Sequence, residues 1–231
     1  MTRPLVLADA ETARDVLTFS GRAAQAGADG VRIQASDGVL VLTSAALAPQ
    51  SLFDQTPTIL AMRIVRADPE LSCDLVVDEL TAGDVPAELL LPDTARAPAW
   101  AGVAPPRGGW QQVGVLPATI VADRAQWGIS AVAHGSPDGA GEDAVRALRA
   151  RIWGEADEDL QGLPRGVAFA AHAFGFLGSA GPAGQVIAAE QVRVTESGRW
   201  TRLAFSRGHV LSRGPAVRGL TAVRQTGPSA G

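Results

Sequence analysis

Residues 92–111 read Pro-Asp-Thr-Ala-Arg-Ala-Pro-Ala-Trp-Ala-Gly-Val-Ala-Pro-Pro-Arg-Gly-Gly-Trp-Gln, and no other stretch of the 231-residue chain limits its fold so strongly. Proline fixes φ and removes a backbone donor, and glycine adds conformational freedom, so this segment is neither a long helix nor an interior strand. The chain is therefore expected in two parts. Residues 1–98 form an α+β domain with an antiparallel sheet, and residues 99–111 are a Pro/Gly/Trp-rich joint. Residues 112–213 form a helical domain ending in antiparallel strands, and 214–231 are a mobile tail.

The front part opens with a short strand over 4–8. Asp9 is a candidate N-cap, followed by Ala13, Val16, Leu17, Ser20 and Ala24 at helical spacing, with Gly27 as a stop. Val31–Ala35 and Val39–Thr43 alternate around Asp37-Gly38, a pair that supplies the positive φ angles of a tight hairpin turn. Strands over 58–65 and 73–77 complete an antiparallel meander.

Beyond the joint, 112–116 reads as a strand. Pro117 suits the first turn of a helix carried by Val121, Ala125, Ile129 and Val132, which stops at Gly135 with Pro137 beyond. A second helix begins near Gly141, with Val145, Leu148 and Ile152 on one stripe. A third, over 165–177, is apolar nearly all round and so buried. Strands follow over 191–195, 199–205 and 208–212, with a turn at Ser197-Gly198. The fold class is α+β: a strand–helix–meander packed with three helices and a three-strand unit.

Charge is uneven. Residues 1–98 hold 7 Arg against 14 acids, 99–190 hold 6 against 9, and 191–231 hold 7 Arg against the single acid Glu196. The acidic front and basic back either attract each other or leave the basic end for an anionic partner; their spacing favours the first reading. The N-terminus meets charge too soon for a signal peptide. Val167–Leu177, the longest apolar stretch, is too short to span a bilayer and carries His172. A cytoplasmic location without membrane contact is expected.

The chain has no lysine, asparagine or tyrosine. That excludes a Schiff base, a phosphate-loop lysine and a phenolic acid. Cys73 lies in an alternating stretch and reads as a small buried residue, not a reactive thiol. His134, His172 and His209 lack metal-ligand spacing, His134 serving to cap a helix and His172 sitting in the core. Glu155, Asp157, Glu158 and Asp159 lack the order of a calcium loop and read as a solvated run. Residues 135–141 precede a helix, yet Asp138, Glu142 and Asp143 repel phosphate. No cofactor or metal is expected.

The five tryptophans all follow residue 99. Trp100 and Trp110 frame Pro105, Pro106, Arg107 and two glycines, a loop rich in the residue types that anchor interfaces. It is either a docking loop for a protein partner or a linker whose indoles pin the two parts together. Nucleic acid is the alternative partner, with phosphate contacts from Arg193, Arg199, Arg202, Arg207 and His209. Three helices and a hairpin outline a winged helix. The third helix, however, offers only Arg165 and His172 among apolar residues and cannot read base edges.

Residues 99–110, Ala147–Trp153 and Arg207–Leu211 together resemble a family of actinobacterial proteins of similar length that carries no assigned activity. The pattern of Val31–Leu47 followed by Leu75–Leu80 is similar to a module of bacterial DNA sliding clamps, which implies a strand, an Asp-Gly turn, a strand, and then a strand running into a helix. The expected function is non-enzymatic, that of a binding or scaffold module. An enzyme with a site assembled from Arg, His and carboxylates ranks third.

Overall fold

The computed structural model describes residues 4–51, 53–92, 95–135, 139, 141–178 and 190–214. The expected tail and Pro137 lie outside these residues. In the front half, β1 (Pro4–Val6) leads into α1 (Ala10–Gln25) and then into β2 (Val31–Ser36), β3 (Val39–Leu47), β4 (Thr58–Arg66) and β5 (Cys73–Val77). The short β7 (Glu88–Leu90) pairs with both β1 and β6 (Thr81–Ala82) in a small separate sheet. The second half has β8 (Gln111–Pro117), α2 (Ala118–Gly135), α3 (Glu142–Gly154) and the short hairpin β9 (Ala156–Asp157) with β10 (Leu163–Pro164). It ends with α4 (Gly166–Ala173), β11 (Gln191–Ser197), β12 (Trp200–Phe205) and β13 (Gly208–Arg213).

Local chemistry explains most of these bounds. The Asp9 carboxylate accepts from Thr12 N–H at 2.7 Å and caps α1, and that bond is the first reason its carboxyl sits below the ordinary carboxylate value. Asp37 and Gly38 both adopt positive φ, at 53° and 77°, and turn β2 into β3. The buried face of α1 is rotated from the expected one. Ala13, Val16 and Ser20 are inside as anticipated, but Phe19 and Ala23 join them, with Ala24 exposed and Leu17 only partly covered. Phe19 turns the helix this way because it packs on Phe174, their rings 5.0 Å apart.

The third helix is shorter than its composition implies. It ends at Ala173, where Gly175 takes φ 68° and redirects the chain, although Phe174, Phe176 and Leu177 remain buried. His172, expected in the core, is instead exposed, on the one solvent-facing side of α4. Pro117 closes β8 and does not enter the helix, which begins at Ala118.

The two halves share one antiparallel sheet of eight strands in the order β5-β2-β3-β4-β13-β12-β11-β8. The seam is β4 against β13, with Met62 opposite His209 and Leu60 opposite Leu211. All four helices lie on one face, and α4 packs across β3, β4 and β13 beneath α2 and α3. That position accounts for a helix apolar almost all round. The main core fills this side, from Val16 and Phe19 through Ile33, Leu42 and Ile59 to Leu203 and Val210.

A candidate docking face on the open side of the sheet

The second face of the sheet has a smaller core and a different cover. Ala45, Leu60, Val76, Trp200 and Leu211 form an apolar patch against Trp100. The 95–110 segment lies over it as a strap. At the front end, Arg96 backbone N–H donates to Val76 O, and its guanidinium binds Asp78 and Asp29 at 2.9 Å each. Trp100 is 7% exposed and its indole N–H donates to Asp29 O at 3.1 Å. Arg32 reaches Ala101 O at 2.7 Å while forking onto Asp74, which holds the Asp74 carboxyl below its ordinary range. At the far end, Ser197 Oγ donates to Gly108 O, and Trp110 N–H donates to Pro106 O at 3.2 Å.

Each candidate docking residue now has a place. Trp100 is enclosed and its N–H is used, so its ring faces the sheet. Pro105, Pro106 and Trp110 are partly exposed, and Arg107 is fully so. The Arg202 guanidinium lies over the Trp110 ring, 4.5 Å from its centre.

The five candidate phosphate contacts divide by strand register. Arg193 lies between the buried Val192 and Val194, and His209 precedes the buried Val210, so both side chains lie on the open face. Arg193 pairs with Ala204, which pairs with His209, which pairs with Met62, so one row crosses four strands. Arg202 stands one row along, beside Trp110. Arg199 is turned to Gly214 O at 2.9 Å. Arg207 sits in the β12–β13 turn on the helix side of the sheet.

Among the described residues, the charges that act on Arg202 and His209 are arginines. Burial comes first, and then the charge of Arg193, in lowering the Arg202 pKa. The His209 imidazole is pushed below 6.5 by burial first, then by Arg202, Arg193 and Arg63. Its Nδ1 is enclosed without a hydrogen-bond partner among the described residues. Beside these cations the face is apolar. Val115 stands opposite Arg193 and is 45% exposed, while Ile64, two residues along β4 from Met62, is 49% exposed. The face thus sets arginines beside exposed aliphatic groups. Strand alternation in 191–210 held the signal for Arg193 and His209. The part played by Val115 and Ile64 depended on which face stayed uncovered.

The acidic run after α3 and His134 have structural partners. Arg165 binds Glu155 and Asp157 and stacks on Trp127, and Arg124 reaches Asp159 at 3.3 Å, so the acidic run is held by ion pairs. His134 donates to Ser130 O at 2.7 Å in the last turn of α2. Burial pushes the Cys73 thiol up. Among the described residues no group of three His, Cys, Asp or Glu side chains comes together, and no helix is long and apolar enough to cross a membrane.

Residues 1–102 match the family model described as a domain of unknown function (DUF8010), and residues 105–217 match that of a second domain of unknown function (DUF8185). The two matches meet inside the strap. The chain is thus a two-part α+β protein that spans two such models. A search of curated proteins gives no match. Among solved structures the chain is similar to the DNA polymerase sliding clamp from Caulobacter crescentus, at 12% identity over 90% of this chain and 68% of that one, with a TM-score of 0.39. A likeness at that level decides nothing about function.

Proposed function

We propose that this chain is a non-enzymatic binding protein that receives an acidic, partly apolar segment of a protein partner on the open face of the second half of its sheet. The supporting observation is the row Met62–His209–Ala204–Arg193–Val115, with Arg202 alongside, where two arginines without acidic partners among the described residues stand beside the exposed Val115 and the partly buried Met62 and Ala204. Trp110 walls the patch, and Pro106 and Arg107 form its rim. Trp100 acts from beneath by fixing the strap. A nucleic-acid backbone is served less well, because Arg199 and Arg207 lie away from the row and the cations form no extended track. The test is fluorescence anisotropy of a labelled poly-glutamate peptide with interspersed leucines, beside short single- and double-stranded DNA, at about 50 and 200 mM salt. Peptide binding that Arg193→Glu and Arg202→Glu abolish is expected. DNA binding without peptide binding would overturn the reading in favour of nucleic acid.

A further inference from the structure

A second basic site lies on the helix side of the sheet and shares no residue with the open face. A half-open cavity of about 270 Å³ is lined by α1, β4, the segment after α4 and the β12–β13 turn. Its walls carry three arginines, Arg22, Arg63 and Arg207, against one acid, Asp15. That acid is taken, since Arg63 Nε and Nη2 bind Asp15 Oδ2 at 2.7 and 2.6 Å. Arg63 also donates to Arg207 O, which fixes the turn that carries Arg207. Arg22 spends one nitrogen on Phe174 O at 2.8 Å, and Arg207 has no acidic partner among the described residues. Two positive charges thus face one cavity without an acidic partner among the described residues.

The floor is aromatic. Phe19 and Phe174 both line the cavity and are almost fully buried. The position of Arg22 is built in by the backbone. Gly175 has φ 68°, and a β-carbon there would fall on the Arg22 guanidinium, so the guanidinium lies flat against a glycine that leaves it room. An arginine pressed onto backbone, one hydrogen bond made and its other donors open to a cavity, is a preorganised anion receptor.

We propose that this cavity binds a small organic anion, with its carboxylate or phosphate between Arg22 and Arg207 and a compact apolar or aromatic body on the phenylalanine floor. The volume sits just under the range of drug-sized pockets, which sets the size of the ligand. This site stands independently of the open-face reading.

The experiment is calorimetric titration of the whole chain with benzoate, phenyl phosphate and inorganic phosphate. Benzoate or phenyl phosphate is expected to bind more tightly than inorganic phosphate, and Arg22→Ala and Arg207→Ala are each expected to weaken binding about tenfold or more. Arg207 is exposed, so its variant keeps the fold, and circular dichroism checks Arg22→Ala. Arg193→Glu is expected to leave the titration unchanged. Absence of binding by all three probes overturns the proposal, as does binding that neither arginine variant alters. Equal affinity for inorganic and phenyl phosphate overturns the role given to the aromatic floor.

Discussion

The open face of the sheet treats arginine in two opposite ways. At its front end Arg32 is forked onto Asp74, and Arg96 is shared by Asp78 and Asp29. At its back end Arg193 and Arg202 stand beside each other and beside His209, and each lowers the imidazole's proton affinity. The strand scaffold is the same, yet the supply of carboxylates differs, because 14 of the chain's 24 acids precede residue 99. The same side chain is therefore a fastener at one end, holding the strap in place, while at the other it is left without an acidic partner among the described residues and is, on the reading proposed above, a contact group.

The contrast is broken most forcefully at the strap. Trp100→Ala removes the indole that the front end anchors and should cost about 3–5 kcal/mol in chemical denaturation, as for other large buried aromatics. Trp110→Ala, at the half-exposed end, should cost at most about 2 kcal/mol. Equal costs would mean that the two ends of the strap are alike. Charge reversal tests the other half of the contrast. Arg202→Glu should weaken acidic-peptide binding about tenfold or more, whereas Arg32→Glu should leave it within about twofold.

A subtler expectation concerns pH. The folded chain keeps the His209 imidazole neutral below 6.5, while the unfolded chain protonates near 6.5, so the unfolded state binds more protons as the solution is acidified. The contribution is fully present above 6.5 and is lost progressively as pH falls from there toward the lowered folded value. Melting curves between pH 7.5 and 5 should show the slope, and His209→Gln should flatten it. The smallest effect belongs to the front end. A double-mutant cycle on Arg32 and Asp74 should give about 0.2–1 kcal/mol, fading with salt, because Asp74 is half exposed.

What the sequence disclosed follows from the range of each interaction. Asp9, Asp37-Gly38 and Gly135 act on backbone within a few residues, and the elements they bound stand where those signals put them. Strand alternation set Arg193 apart from Val192 and Val194, but its sharing a face with His209 depended on the register through β12. The β4–β13 seam joins residues far apart in the chain and has no local signature. The rotation of α1 depended on Phe174 waiting across the core, and the end of α4 depended on Gly175, whose role emerges only beside Arg22. The aromatic-floored cavity was equally hidden, since Arg22, Arg63 and Arg207 come from three distant segments.

The seam also sets an order of assembly during synthesis. Strands β2 to β5 can pair among themselves as soon as they leave the ribosome, but β4 then has one edge bare until residues 208–213 arrive. While residues 67–207 are being made, the nascent front half carries a ready template for a neighbouring chain's strand. A chain cut short before residue 208 would keep that edge for good and should self-associate.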